Sequence, residues 1–165
     1  MEIVKSARSG PDDVAALERK TGESFSPQLR HRDSLNLGCG RKHLPHSVNL
    51  DVTPETNPDV LHDLNTLPWP LPDNHFSEVL AYDVIEHLDN FMGAMEEIHR
   101  VCRDKAKVKI AVPHFSSAEA YTDPTHRRCF GYFSFDYVTG EHGARAIVRL
   151  PDGRLKEVPL DKIRS

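Results

Sequence analysis

The stretch Leu35-Asn36-Leu37-Gly38-Cys39-Gly40 decides the fold class of this chain. It joins a short apolar run directly to two glycines that are separated by one residue. A run of this kind predicts a buried β-strand, and glycine permits the tight turn that ends it. Glycine also lets the backbone approach a bulky ligand that a Cβ would exclude. A Gly-x-Gly turn after a strand is equally compatible with a plain structural turn, so the rest of the sequence has to distinguish the two interpretations.

Four further apolar runs follow, and each predicts a strand. They are residues 48–50, 60–61, 79–82 and 108–112. Between the last two runs, a helix is predicted to begin at Asp89 or Asn90, with apolar residues at helical spacing on one face. A strand, a helix and a strand in that order predict a right-handed parallel crossover. The pattern therefore predicts an α/β fold with a Rossmann-like, mostly parallel sheet and flanking helices.

Acidic residues stand where three of the predicted strands end, and parallel sheets bind ligands beyond the carboxyl ends of their strands. Asp51 there can accept hydrogen bonds from both hydroxyls of a ribose, and Asp63 can accept one from an exocyclic amine. Asp83 ends the fourth strand. An exposed strand-end aspartate without a ligand is the simpler alternative for Asp51. A P-loop is disfavoured, because Arg41-Lys42-His43 does not supply the Lys-Ser/Thr ending of that motif.

The order of these motifs resembles the class I S-adenosylmethionine-dependent methyltransferases, specifically the methyltransferase type 11 group. The resemblance covers about residues 34–114. The motifs that carry it are Leu37-Gly38-Cys39-Gly40, Asn49-Leu50-Asp51, Asp63-Leu64 with residues 70–76, Val84-Ile85-Glu86-His87-Leu88 and Glu97-Ile98-His99-Arg100-Val101. It implies S-adenosyl-L-methionine as the cofactor and methyl transfer as the activity.

The resemblance also implies a role for individual residues. Gly38 and Gly40 would face the methionine part of the cofactor, Asp51 the ribose and Asp63 the adenine, while Asp83 would stand beside the sulfonium. The expected cofactor-binding set is Leu37, Gly38, Cys39, Gly40, Asp51, Val52, Asp63, Leu64, Asp83 and Val84.

Two departures from the family pattern are visible. Asp104-Lys105-Ala106-Lys107 replaces the usual Gly-Gly before the fifth strand, so this turn has to form without glycine. At the C-terminus, residues 144–160 predict a hairpin around Pro151-Asp152-Gly153 in place of the family's further strands, which abbreviates the sheet. An exposed sheet edge would then favour a homodimer.

Residues 113–140 fall where this family places its acceptor-side loop. A histidine can accept a proton from the methyl acceptor, and the candidates for this catalytic role are His87, His114 and His126. Asp123, Arg127 and Arg128 are the candidate substrate-binding residues, because two arginines can bind a carboxylate or phosphate. This favours a small metabolite or sugar-type acceptor, which can include an anionic one. Structural hydrogen bonds and surface ion pairs are the alternative roles of these side chains.

The 165 residues predict an N-terminal helical arm over 1–32, with a helix starting near Asp12, and one methyltransferase domain over 33–165. The 21 basic and 25 acidic residues are interleaved and give a net charge of -4, so no nucleic-acid partner is expected. No apolar run reaches the roughly 20 residues of a membrane span. Three cysteines without a CxxC pair indicate a reducing, cytoplasmic location.

Two other functions remain open at this stage. A zinc-dependent hydrolase is one, because His114, Asp123, His126 and Cys129 lie close together in the sequence and all can bind zinc. A catalytically inactive module that binds the cofactor or a partner is the other. The methyltransferase interpretation itself includes no metal.

Overall fold

The computed structural model describes residues 25–131, 133–138, 140–149 and 155–162. The strands are β1 (Ser34–Leu37), β2 (Ser47–Asp51), β3 (Val60–Leu61), β4 (Phe76–Tyr82), β5 (Cys102–Ala111), β6 (Gly140–Arg149) and β7 (Leu155–Lys162), and the helices are α1 (Phe91–Val101) and α2 (Glu119–Thr122). Short 3-10 turns lie at Pro27–Leu29, Pro54–Thr56, Ile85–His87 and Ser134–Val138. The predicted helix near Asp12 lies outside the described residues. Within these ranges, no helix is both long enough and apolar enough to cross a membrane.

The first five strands form one parallel sheet in the order β3-β2-β1-β4-β5. The chain order reverses between β1 and β4, and open parallel sheets bind ligands beside such a reversal. The loops that leave β1, β2 and β4 therefore meet at one edge of the sheet. This architecture confirms the predicted Rossmann-like α/β fold.

Strands β1 and β2 are buried on both faces, which explains why they read as near-continuous apolar runs. Two asparagines interrupt these runs, and they bond to each other, with Asn36 Nδ2 donating to Asn49 Oδ1 at 3.0 Å. Asn49 also donates from its backbone and its side chain to Asp59 Oδ2, which Arg32 contacts at 2.9 Å. Burial alone would raise the pKa of Asp59, but these donors outweigh burial and lower the pKa.

Helix α1 begins at the predicted cap, because Asn90 Oδ1 accepts a hydrogen bond from the backbone N–H of Gly93 at 3.0 Å. Its buried face packs on the sheet through Met95, Ile98 and Val101. At the C-terminal end of the helix, the Arg100 guanidinium binds Glu97 and Asp73 and donates to the backbone carbonyls of Trp69 and Leu71. Arg100 therefore holds the proline-rich loop before β4, residues 67–73, against helix α1.

The segment Asp104-Lys105-Ala106-Lys107 forms a bulge within β5. Lys105 has a left-handed backbone with φ of +61°, and the pairing with β4 shifts register between Phe76 and Glu78. A lysine in this conformation is strained relative to glycine. The predicted hairpin is present as the antiparallel pair β6 and β7, and β6 lies against β5. Its turn at residues 151–153 lies outside the described residues, and the predicted homodimer stays a prediction.

Candidate functional site

A cleft of about 250 Å³ lies at the carboxyl ends of the parallel strands. It is lined by Gly38, Asp51, Val52, His62, Asp63, Leu64, Asn65, Asp83, Val84, His87 and Leu88. Most of the predicted cofactor-binding residues are therefore brought together along one cleft. Three of them do not line it: Leu37 and Cys39 are buried in the layer behind it, and Gly40 contacts Asp51. The binding roles of all ten residues stay predictions.

Gly38 allows the loops after β1 and β4 to touch. Its φ is +58°, and a Cβ at this position would lie 2.4 Å from Cγ2 of Val84. Both the backbone conformation and the space therefore require glycine. Gly40 also has a positive φ, of +50°, but a Cβ there would meet no atom within 4 Å. Between them, burial together with the nearby carboxylates of Asp51 and Asp59 raises the pKa of the Cys39 thiol to about 11, so this thiol is not a nucleophile near neutral pH.

The Asp51 carboxylate is held in place before any ligand binds. Oδ2 accepts a hydrogen bond from the Gly40 N–H at 2.7 Å, and Oδ1 accepts one from the Thr53 N–H at 2.8 Å. The residue is only 8% exposed. Since each carboxylate oxygen has a second lone pair, Asp51 can still accept hydrogen bonds from two ligand hydroxyls.

The loop after β3 supplies the far end of the cleft. Asp63 Oδ1 accepts a hydrogen bond from the Asn65 N–H at 2.9 Å, which turns the chain, and Asn65 Oδ1 accepts one from the Asp89 N–H at 2.7 Å. His62 contacts the carbonyl of Thr66 at 2.8 Å. The sequence analysis missed His62, Asn65 and Leu88 as lining residues. Their adjacency to the predicted Asp63-Leu64 pair and to His87 was the available signal.

A second cavity, of about 380 Å³, adjoins the cleft on the side of residues 113–126. It is lined by Asp83, Glu86, His87, Pro113, Glu119, Asp123 and His126. Asp83 and His87 line both spaces, so the two meet at the turn after β4. Asp83 has a left-handed backbone with φ of +53°, and its N–H donates to the carbonyl of Ala111 at 2.8 Å, which ties this turn to the end of β5.

Glu86 is the main residue that the sequence analysis missed. Its side chain is 1% exposed, and neither carboxylate oxygen has a hydrogen-bond partner among the residues that the structure describes. Burial, with smaller contributions from Asp83 and Asp123, raises its pKa to about 7. The imidazole of His126 is its nearest ionisable partner, with Nε2 at 4.0 Å from Oε1. The motif Val84-Ile85-Glu86-His87-Leu88 contained Glu86, but a sequence does not show which of these side chains is buried.

Two of the three candidate catalytic histidines reach the second cavity. The rings of His87 and His126 lie with their centroids 4.8 Å apart. His87 Nδ1 contacts the Thr125 hydroxyl at 2.9 Å, and His126 Nδ1 contacts the carbonyl of Ala120 at 3.2 Å. His114 lines neither space. Its Nδ1 lies 2.9 Å from the Ser116 hydroxyl, and its ring packs on Phe115.

The candidate substrate-binding residues are separated by the structure. Asp123 lines the cavity, and hydrogen bonds from the hydroxyl and the amide of Thr125 lower its pKa. Arg127 instead pairs with Asp89 at 3.3 Å, and Arg128 donates to the carbonyls of Leu88 and Asp89 at 2.8 and 2.7 Å. Neither arginine lines either space, so the geometry gives no support to their predicted contact with an acceptor.

The zinc cluster considered for a hydrolase is also divided. Asp123 and His126 line the cavity, whereas His114 and Cys129 do not. The structure places Glu86 and His87 beside His126 instead. The set of potential metal ligands therefore differs from the one that the sequence suggested.

Residues 35–110 match a family model described as a methyltransferase domain. No curated protein matches this chain. Among solved structures, an S-adenosylmethionine-dependent methyltransferase from Archaeoglobus fulgidus is similar over 76% of this chain, with 20% identity and a TM-score of 0.55. This chain covers 65% of that protein, which is slightly less than two thirds. The similarity shows that the two proteins share a fold.

Two further solved structures are similar at lower scores. The YcgJ protein from Bacillus subtilis is 19% identical over 76% of this chain and 65% of its own chain, with a TM-score of 0.49. An S-adenosylmethionine-dependent methyltransferase from Mesorhizobium loti is 14% identical over 88% of this chain and 64% of its own, with a TM-score of 0.44.

Proposed function

We propose that this chain transfers a methyl group from S-adenosylmethionine to a small molecule. Its residues 35–110 match a family model described as a methyltransferase domain, and it shares its fold with an S-adenosylmethionine-dependent methyltransferase from Archaeoglobus fulgidus. One observation supports this proposal above all. The cleft beside Gly38 and Asp51 and the cavity beside His126 open at the same end of the sheet and share Asp83 and His87. A cofactor in the cleft can therefore face an acceptor in the cavity.

The residues along the cleft fit the cofactor. Asp51 has the lone pairs to accept hydrogen bonds from both ribose hydroxyls, and its two backbone donors hold it in position. Asp63 and Leu64 would contact the adenine, and Gly38 leaves the backbone exposed to the methionine part. When bound, the cofactor supplies a methyl group already activated by its sulfonium.

The protein has to align the acceptor with that methyl group and exclude water. Proton removal from an acceptor oxygen or nitrogen falls to a histidine, and His87 and His126 are the two candidates that line the cavity. His126 is the better placed of the two as a base, because the nearby Glu86 carboxylate would stabilise its protonated ring.

The lining of the cavity favours an acceptor without negative charge. Four carboxyl groups line it, from Asp83, Glu86, Glu119 and Asp123. An anionic acceptor would meet like charges there, which is unfavourable by several kcal/mol for close pairs. The expectation of an anionic acceptor rested on Arg127 and Arg128, which contact Asp89 and the Leu88 carbonyl instead. We therefore propose a neutral or cationic acceptor that carries a hydroxyl or an amine.

Calorimetric titration with S-adenosylhomocysteine tests the cofactor site. The wild-type chain should bind it, and Asp51→Asn should weaken binding by roughly 10 to 100-fold, because the amide turns one acceptor into a donor. Asp104→Asn is the matched control, since Asp104 is exposed near the start of β5, away from the carboxyl edge. Absence of binding by the wild type, or equal binding by Asp51→Asn, contradicts the proposal.

Turnover is tested separately, by incubation with S-adenosylmethionine and sets of neutral, cationic and anionic small molecules. Formation of S-adenosylhomocysteine with a neutral or cationic acceptor is the expected result. Turnover confined to anionic acceptors contradicts the proposed acceptor class. Binding without turnover in any set supports the alternative of a cofactor-binding module.

A further inference from the structure

Glu86, His87 and His126 form a compact group at the junction of the cleft and the cavity. One ligand atom from each residue can be chosen so that all three lie within 4.8 Å of one another. Glu86 and His87 come from the turn after β4, whereas His126 comes from the loop that follows α2. The three side chains therefore converge from two parts of the chain that are distant in sequence.

The Glu86 carboxylate receives no hydrogen bond from another described residue, which points to a ligand. It is 1% exposed and lines the cavity, yet both of its oxygens lack a hydrogen-bond partner within the described part of the chain. Burying a charge costs much free energy unless it is paired, hydrogen-bonded or bound to a metal. Native structures leave few buried polar groups in this condition, and a bound ion is one of the recurring reasons.

Hydrogen bonds around the two histidines leave a specific nitrogen of each available. The Thr125 hydroxyl donates its single proton to Asp123 at 2.6 Å, so it accepts a hydrogen bond from His87 Nδ1–H. His126 Nδ1 likewise donates to the carbonyl of Ala120, which can only accept. Both rings therefore present Nε2 as the nitrogen with a lone pair. Metal-binding histidines almost always have such an oxygen acceptor on their other nitrogen.

We propose that Glu86, His87 and His126 bind a divalent transition-metal ion. Two imidazoles and one carboxylate are the ligand set of several such sites, and they leave coordination positions open for a substrate or water. Metal–ligand bonds of about 2.1 Å place ligand atoms roughly 3 Å apart, so the side chains have to move inward by small rotations. The open positions would face the cavity, where Asp83 and Asp123 add negative charge.

The ion would also change the chemistry of the acceptor, and this step rests on the proposed function. The histidine lone pairs would then be occupied, so the role of base proposed above for His87 and His126 would apply only to the metal-free protein. A hydroxyl acceptor bound to the ion would have a lowered pKa and would lose its proton to bulk water before its oxygen attacks the methyl group. The acceptor oxygen would be held beside Asp83 and His87, where the two spaces meet.

Metal binding is measured on the full chain after treatment with a chelator, by separate calorimetric titrations with ZnCl2 and MnCl2. We expect one ion per chain for at least one of the two metals. Glu86→Gln and His126→Ala should each weaken binding by at least about 10-fold. His46→Asn is the matched control and should bind as the wild type does, because His46 is exposed at the opposite edge of the sheet, before β2.

Absence of a one-to-one complex with either metal overturns the proposal, as does unchanged binding by Glu86→Gln and His126→Ala. A variant that fails to fold by circular dichroism is set aside, and the visible spectrum of Co²⁺ bound to the wild type then decides, since imidazole ligation changes it. If the site binds an ammonium group and no metal, the visible spectrum of added Co²⁺ would stay that of the free ion. S-adenosylhomocysteine binding in the presence of chelator separates failure of this site from failure of the proposed function.

Discussion

The cleft beside Asp51 and the cavity beside His126 differ in how their carboxylates are hydrogen-bonded. Asp51 in the cleft receives two backbone hydrogen bonds, and Asp63 receives one, before any ligand is present. Glu86 in the cavity is more deeply buried and receives none from the described residues. The carboxylates of the cleft are thus hydrogen-bonded in the folded chain. The buried Glu86 carboxylate of the cavity has no such donor, and a bound ligand could supply one. A pre-organised site gains affinity because little has to be ordered on binding.

The largest expected effect is a loss of stability when the cleft is altered at Gly38. Gly38→Ala would place a Cβ 2.4 Å from Val84 and strain a backbone with φ of +58°. The free energy of unfolding should fall by about 2–4 kcal/mol, from backbone strain and overpacking together. Urea denaturation measures this change. Gly40→Ala is the matched control, because open space surrounds that position and only the backbone strain of about 1–2 kcal/mol applies. Equal losses in the two variants would show that contact with Val84 is unimportant.

A second prediction concerns how Glu86 makes the stability of the chelator-treated protein depend on pH. The pKa of Glu86 is about 7 in the folded chain against an ordinary value of 4.5, so the folded state keeps a proton that the unfolded state has lost. Stability should therefore fall as pH rises from about 4.5 to 7, by roughly 1–3 kcal/mol, and then level off. Denaturation of the wild type and of Glu86→Gln across this range is the measurement. The variant should lack this component, and an identical pH profile would contradict the assignment.

The third prediction concerns Asp59, whose carboxylate is paired with Arg32 and Asn49. Its lowered pKa means that it contributes stability above the ordinary aspartate pKa of about 3.9, and that this is lost as pH falls through the lower folded value. Asp59→Asn should remove this acid-side dependence and shift the acid-unfolding midpoint upward. Acid titration followed by circular dichroism tests it. Asp104→Asn, at an exposed position, should leave the midpoint unchanged.

The smallest expected effect is a gain in stability far from both spaces. Lys105→Gly should raise the free energy of unfolding by about 0.5–1 kcal/mol, because glycine relieves the strain at φ of +61° at some entropic cost. Lys107→Gly in the same strand should instead lower it by about 0.5–1 kcal/mol, since Lys107 is not among the residues with positive φ. Thermal unfolding of both variants would reveal whether the bulge stores strain, and opposite signs are required.

The cleft was largely predictable because it is built from residues close to strand ends. Gly38, Asp51 and Asp63 each follow an apolar run, and the convergence of parallel strands brings such positions together. The cap at Asn90 was predictable for a similar reason, since its contact with Gly93 is local. Patterns in one sequence report local structure and burial of whole strands.

The cavity was less predictable because its contacts join distant segments. Arg128 donates to the carbonyls of Leu88 and Asp89, which lie about 40 positions earlier in the chain. A sequence does not show such a contact, so Arg128 was predicted to bind the acceptor. The burial of Glu86 depends on the loop that carries His126 lying over the turn after β4, where the Arg127 N–H donates to the Glu86 carbonyl. Lys105 likewise adopts a conformation that its residue type disfavours, because the bulge in β5 imposes it.

The turn after β4 has a consequence for the affinities of molecules that bind in the two spaces. Val84 touches Gly38 on one side, while Asp83 and His87 border both spaces. A molecule that displaces this turn from one side alters the walls of the other. The two binding equilibria are then thermodynamically linked, and the linkage is reciprocal, so each ligand changes the dissociation constant of the other by the same factor.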